Sequence, residues 1–153
     1  MADALVSVYV RPEGVYITSS DRTTVGVWME SGNWEFLPSD EPEGVGAAVI
    51  RHLKRPPRVV RHPERDEFST LRSEVIAPLL ALAGVRTWKA FITPSTLIDV
   101  QGGDGVTVTP MRRDGRGFSP LPNARENLDD ADPEALGLAV FNAARVASEH
   151  DSG

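Results

Sequence analysis

The residues best suited to proton transfer or metal binding are the three histidines, His52, His62 and His150. No two of them show the i, i+4 spacing of a metal-binding helix, so they read as isolated surface histidines. Cysteine is absent, which excludes disulfides, thiol catalysis and Cys-based zinc sites. The chain has no Gly-x-Ser-x-Gly elbow, no Walker-type loop and no Ser-x-x-Lys nucleophile motif,. Gly102-Gly103-Asp104-Gly105 is glycine-rich, but it precedes an alternating stretch rather than a helix. Without a helix N-terminus it cannot cradle phosphate in the usual way, and it reads as a hairpin turn. No cofactor is expected. A hydrolase or transferase built from Asp99, Asp104 or His52 stays open as an alternative, because catalytic groups converge in space rather than along the chain.

Carboxylates are the other groups that recur in clusters. Asp40, Glu41 and Glu43 form one, Glu64, Asp66 and Glu67 a second, and Asp129, Asp130, Asp132 and Glu134 a third. Two readings apply to the first and third. Acids at a helix start offset the positive end of the helix dipole. Alternatively, they form an electronegative patch that docks onto the basic active site of a nucleic-acid enzyme, with electrostatically steered association. Trp28 and Trp34 flank the turn Ser31-Gly32-Asn33. Each reads as sheet core or as an interface anchor, with Trp34 the candidate anchor because it follows the turn. Arg22 and the Thr23-Thr24 pair precede a strand, where a local hydrogen-bond network is expected. Arg51, Lys54, Arg55, Arg58 and Arg61 make a basic run, read either as a helix C-terminus plus solvated connector or as a nucleic-acid module.

The elements that must position these groups follow from periodicity. Ala4–Val10, Val15–Thr18, Thr24–Glu30 and Trp34–Leu37 alternate or run apolar between turn residues, as short antiparallel strands joined by hairpins do. Asp40-Glu41-Pro42-Glu43 opens a helix whose Val45, Ala48, Val49 and Leu53 share one face, and Pro56-Pro57 stops it. Residues 56–66 read as an exposed connector. Phe68–Gly84 reads as helical, broken at Pro78 and ended by Gly84. Thr87–Ile92, Thr96–Gln101 and Val106–Thr109 read as strands, with a second turn at Asp114-Gly115-Arg116-Gly117. A last helix starts at Asp132-Pro133-Glu134, with Asp132 as N-cap and Leu136, Val140, Ala143, Ala144 and Ala147 on one stripe. The fold class is therefore α+β, a sheet of short antiparallel strands with helices packed on it.

The two halves also resemble each other. Val25-Gly26-Val27 matches Val106-Thr107-Val108 at an offset of 81 residues, Leu37-Pro38 matches Leu121-Pro122 at 84, and Pro42-Glu43 matches Pro133-Glu134 at 91. One reading is a repeated strand-strand-strand-helix unit, residues 4–55 and 86–149 around a connector 56–85. The other is that any two such segments look alike. Either way residues 1–153 read as one domain, since neither half buries a sheet face alone.

Composition bounds the rest. A chain of 153 residues buries roughly 68–70% of its unfolded surface, enough for a core without staples. Hydrophobic residues are 41% and charged residues 25%, which argues against disorder. Lys plus Arg is 16 against 22 for Asp plus Glu, a net charge of −6; this disfavours nonspecific nucleic-acid binding and favours basic partners. Met1-Ala2-Asp3-Ala4 does not begin a signal peptide, and the longest uncharged apolar run, Val75–Val85, is short of the ~20 residues a membrane helix needs. A cytoplasmic location without membrane contact is expected.

Several stretches resemble the contact-dependent growth inhibition immunity proteins of the CdiI type. Ser19-Ser20-Asp21-Arg22-Thr23-Thr24-Val25-Gly26-Val27-Trp28 is similar to that family's Ser-Arg-Thr-Thr-x-Gly-x-Trp stretch, with Asp21 inserted between Ser20 and Arg22. Pro78–Val85 with Trp88, Val106–Arg112, Gly117–Pro122 and Asp132–Gly137 are similar in order and spacing. The resemblance implies a noncatalytic protein that binds the toxic C-terminal domain of a cognate effector, commonly a nuclease, and occludes its active site. On that reading Asp40, Glu41, Glu43, Asp129, Asp130 and Asp132 pair with the toxin's Lys and Arg around Trp34.

Overall fold

The computed structural model describes residues 3–38, 40–115, 117–130 and 132–151. The chain runs β1 (Ala4–Arg11), β2 (Gly14–Thr23), β3 (Trp28–Glu30), β4 (Glu35–Leu37), α1 (Pro42–Lys54), β5 (Val59–Val60), α2 (Phe68–Ala83), α3 (Trp88–Ile92), β6 (Thr96–Gly103), β7 (Gly105–Asp114), β8 (Gly117–Pro120), β9 (Glu126–Leu128) and α4 (Pro133–His150). The sheet order is β3-β2-β1-β6-β7-β8, with β4 and β5 also on β2 and β9 on β7. All pairings are antiparallel except β2 with β5. The architecture is α+β, as the periodicity predicts.

Strand alternation sorts side chains between two cores. Val6, Val8, Val15, Ile17, Ile98, Val100, Val106 and Val108 meet Val45, Ala48 and Val49 of α1 and Leu136 and Val140 of α4 on one face. Tyr9, Tyr16 and Leu97 point the other way, onto Leu79 of α2 and Phe91 and Ile92 of α3. Both faces of the central strands are thus covered, which explains why Ala4–Val10 reads as nearly continuous apolar sequence.

α1 and α4 cross at their first turns. A Cβ at Gly46 would collide with the Pro133 carbonyl, and one at Gly137 with the Pro42 carbonyl. The two contacts are reciprocal, and Gly46 and Gly137 stand 91 residues apart. The same offset recurs in the sheet: β2 meets β4 through Val15↔Leu37, Tyr16↔Phe36 and Ile17↔Glu35, and β7 meets β9 through Val106↔Leu128, Thr107↔Asn127 and Val108↔Glu126. The offsets of 81 and 84 are therefore wrong for the strands. Val25-Gly26-Val27 lies in a turn, whereas Val106–Val108 lies within β7; only the helix match at 91 aligns corresponding positions.

Other expectations change for local reasons. Thr87–Ile92 is not a strand: Thr87 Oγ1 accepts the Ala90 N–H at 3.1 Å and caps the short helix α3. Its Trp88, Phe91 and Ile92 fit helical spacing as well as they fit an apolar strand. Thr24–Val27 turns rather than extends. Thr23 closes that turn with its backbone and with Oγ1, which accepts the Val27 N–H at 3.1 Å, and β2 instead runs on to Thr23. α2 continues through Pro78, losing one helical N–H, and ends at Gly84 in the left-handed conformation,. The connector is not wholly exposed, since Pro63 is buried and Val59–Val60 pairs with β2. Asp132 Oδ2 accepts the Ala135 N–H at 2.9 Å, the cap expected for α4. Arg116, in the second expected turn, lies outside the described residues.

Gly46→Ala and Gly137→Ala should each cost at least the ~1–3 kcal/mol typical of overpacking, because the obstructing atom is backbone. Gly44→Ala, with open space around the new methyl, should gain about 0.5–1 kcal/mol from helix propensity. Urea denaturation of the three variants checks this, and equal effects at Gly44 and Gly46 would contradict the crossing.

Candidate functional site

The acidic positions divide between the two ends of the sheet. Because β1 and β6 are antiparallel, with Ala4↔Gly102 and Val10↔Thr96, the β1–β2 and β6–β7 hairpins lie at opposite ends. Asp40 shares a small depression with the β1–β2 hairpin and Phe141 of α4. Asp129 abuts Gly105 at the β6–β7 hairpin. Between them the α1–α4 crossing brings the two helix starts together, with Glu43 and Glu134 in the first turns and Asp132 capping α4. Asp40, Glu41, Glu43, Asp129, Asp130 and Asp132 are all exposed. Among the described residues, Asp40, Glu43, Asp129 and Asp130 have no ion-pair partner. Two positive helix ends side by side attract these carboxylates in the fold itself.

Trp34 is not with them. It belongs to the opposite face, half-buried against Tyr9 at 5.8 Å between ring centroids, and its Nε1–H donates to the Val75 carbonyl at 2.9 Å. Its ring and donor hold α2 on the sheet. The basic run is largely neutralised: Arg51 makes a two-pronged contact with Glu35 (3.1 and 2.9 Å), Arg55 pairs with Asp21 at 3.0 Å, and Arg61 pairs with Glu67 at 2.7 Å. Arg61 and a backbone N–H hold the Glu67 carboxyl down at about 2. These pairs remove most of the charge a nucleic-acid module would need.

The histidines are scattered. His52 Nε2 lies 3.0 Å from Glu35, His62 Nδ1 lies 3.1 Å from Thr23 Oγ1, and His150 Nδ1 lies 2.9 Å from the Val146 carbonyl. Among the described residues no group of three or more His, Asp or Glu is placed to hold a metal. Asp99, Asp104 and His52 do not converge either. Asp99 faces the α2–α3 side, Asp104 lies in a hairpin, and His52 is buried on α1 over the other face.

Periodicity alone missed the buried polar group under α2. Tyr9 Oη donates to Glu30 Oε2 at 2.9 Å. Burial raises the Glu30 carboxyl, against the pull of Tyr9, Arg72 and Ser7. Asp99, opposite Ser7 in register, is pushed up to about 7 by burial and by the Glu30 charge. The one available signal was a charged residue at the alternating position between Leu97 and Gln101. Beside this group a groove of about 470 Å³ separates β3 from α2, with Met29, Leu71 and Val75 in its wall and Glu30, Glu67 and Glu74 along it.

No family model and no curated protein matches the chain. Solved structures do resemble it, among them the following two. A protein of unknown function from Neisseria meningitidis aligns at a TM-score of 0.75 and 16% identity, over 93% of each chain. A chain of the CdiA-CT/CdiI toxin and immunity complex from Yersinia pseudotuberculosis aligns at 0.75 and 15% identity, over 99% of each. The fold is shared with both. No helix among the described residues is long and apolar enough to cross a membrane.

Asp99 gives a pH dependence of defined sign. Its folded carboxyl lies above the unfolded value of about 3.9, so the folded state keeps a proton that the unfolded state releases. Stability from this group is full below about pH 4 and is lost as pH rises through about 7,. Asp99→Asn should therefore raise Tm at pH 8 and leave it nearly unchanged at pH 4. Thermal melts at the two pH values check this, and a lower Tm for the variant at pH 8 would refute it.

Proposed function

We propose that the chain is a noncatalytic immunity protein that binds the toxic C-terminal domain of a contact-dependent growth inhibition effector and neutralises it by covering the active site. The observation that carries this reading is the likeness over 99% of the chain to a chain of a CdiA-CT/CdiI toxin and immunity complex. The charge distribution supports it. A chain of net −6 pairs off most of its basic run and leaves Asp40, Glu43, Asp129 and Asp130 exposed without cations. That is the arrangement that attracts a basic nuclease surface and accelerates encounter. Asp132 and Glu41 add to the acidic helix starts, whereas Trp34 lies on the opposite face with α2. Each carboxylate paired across the interface must offset its own desolvation, so the rate of association is expected to gain more than the affinity.

Co-expression with the C-terminal domain of any large secreted protein encoded immediately upstream tests the function. Growth rescue and a co-purifying complex are expected; persistent toxicity with no complex would overturn it. Reversing Asp129 and Asp130 together to Lys should slow association with that domain and flatten its dependence on salt. Stopped-flow rates across a salt series check this, and an unchanged rate would remove those two residues from the interface.

A further inference from the structure

Among the described residues, Arg22 is the one member of the Asp21-Arg22-Thr23-Thr24 stretch whose side chain makes no hydrogen bond or ion pair, although its backbone N–H donates to the Arg58 carbonyl at 2.9 Å. Asp21 is held by Arg55 at 3.0 Å and by the Arg58 N–H at 3.0 Å. Thr23 closes the β2–β3 turn and meets His62, while Thr24 Oγ1 accepts the His62 N–H at 3.3 Å. Arg22 is half-buried, and its guanidinium lies 4.5 Å from the centroid of the Trp28 ring. Among the described residues none of its side-chain nitrogens has an acceptor, and Nε is buried without one. A buried donor without a partner costs about 1–3 kcal/mol, and such groups in native proteins call for an explanation. The adjacent acids are committed elsewhere, Asp21 to Arg55 on the other face and Glu30 to Tyr9.

The surroundings are those of an interface. Val59, Arg22 and Trp28 occupy one register row across β5, β2 and β3. Val59 is 75% exposed, and the turn between β2 and β3 carries Val25 at 66% and Val27 at 45%. Exposed valines around a half-buried, stacked arginine combine an apolar rim with a fixed donor, and Trp and Arg are the residues most enriched at binding hot spots. Stacking on the indole preorganises the guanidinium and leaves its terminal nitrogens, but not the buried Nε, for a planar acceptor,.

We infer that Arg22, stacked on Trp28, is the receiving group for a carboxylate of the protein partner, at a docking surface formed by the β2–β3 turn and β5. The inference rests on the immunity reading above and adds a contact of opposite sign to the acidic helix starts: here the toxin supplies an Asp or Glu within an apolar surround. The row neighbours of Arg22 are Val59 and Trp28, an apolar surround that suits a carboxylate on a protein, although the exposed Arg58, whose carbonyl accepts the Arg22 N–H, stands nearby; binding of inorganic phosphate at this row in place of the toxin domain would overturn the assignment.

The test compares the full chain with Arg22→Met and Arg22→Lys, using the toxin domain encoded upstream as the probe. Arg22→Met keeps an unbranched stem over the indole and removes the unpaired donors. Its Tm should equal or exceed that of the wild type, while its Kd for the toxin domain rises by about tenfold or more, the loss expected for a charge-assisted hydrogen bond. Arg22→Lys should fall between them. Unchanged affinity in Arg22→Met overturns the assignment, as does a marked fall in Tm or failure to fold, which would make Arg22 a structural residue. Failure of the wild-type chain to bind the toxin domain sinks the immunity reading and this contact with it; binding that survives Arg22→Met sinks the contact alone.

Discussion

The backbone contact between α1 and α4 governs the arrangement of everything on that face of the sheet. Both helices cover the centre of the sheet, and their first turns meet where Gly46 approaches Pro133 and Gly137 approaches Pro42. The crossing puts two positive helix ends side by side, an unfavourable arrangement that Asp132, Glu43 and Glu134 offset,. Pro42 and Pro133 fit the first helical positions, where no N–H is needed. One steric constraint therefore accounts for residues that, read along the chain, resemble only an acidic motif repeated twice. It also means that the carboxylates have a structural use before any partner is present, so an interface there would draw on charge the fold already requires.

The far end of β2 is organised by a different device. Asn33 Oδ1 accepts from Thr18 Oγ1 and from the Ser19 N–H, while its amide donates to Ser19 Oγ. Asp21 receives the end of α1 through Arg55 and the connector through the Arg58 N–H. Thr23 and Thr24 hold the β2–β3 turn and His62. Three segments far apart in sequence are thus fastened to one strand by short polar side chains, whose low conformational entropy makes such contacts inexpensive. This is how the Ser, Asp and Thr residues of this stretch run through a strand with their polar groups satisfied.

How legible the molecule was depends on which interactions decide each element. α1, α4 and the β6–β7 turn are legible because caps, prolines, apolar stripes and turn glycines are local, although β7 runs on to Asp114, five residues past the expected Thr109. α3 was not, since Trp88, Phe91 and Ile92 satisfy both periods and the decision falls to one hydroxyl on Thr87. The continuity of α2 through Pro78 was also hidden: it depends on packing by Ile76 and Leu79 and on the Trp34 bond to Val75, contacts of long range in the chain. The offset between the halves was misread because Val25-Gly26-Val27 looks like strand until Thr23 folds it into a turn. At the candidate site, charge type was legible and grouping was not. The acidic residues were found, but their separation to opposite ends follows from the antiparallel β1–β6 register, and the placing of Trp34 on the other face follows from strand alternation. Glu30 stands out only once burial and partners are known, and Asp99 and Arg22, singled out in the sequence for other roles, take their present ones only then.

The distribution of unpaired charge distinguishes this chain from one stabilised for its own sake. A fold optimised for stability alone would pair Arg22 with an acid or replace it, and would not keep Asp99 where burial pushes its carboxyl up to about 7. Selection removes only what falls below the stability that function needs, so it is the geometry of Arg22, and not its cost alone, that points to a partner. The contrast with the basic run is instructive. Arg51, Arg55 and Arg61 each have an acid within the fold and hold α1 and the connector in place, whereas Arg22 is stacked, oriented and left without an acceptor. An arginine that the fold had merely failed to bury would extend into water along its aliphatic stem; Arg22 instead has a buried Nε and a ring beneath it. The terminal nitrogens of a guanidinium fixed in this way can bond an incoming acceptor with little further loss of rotamer freedom.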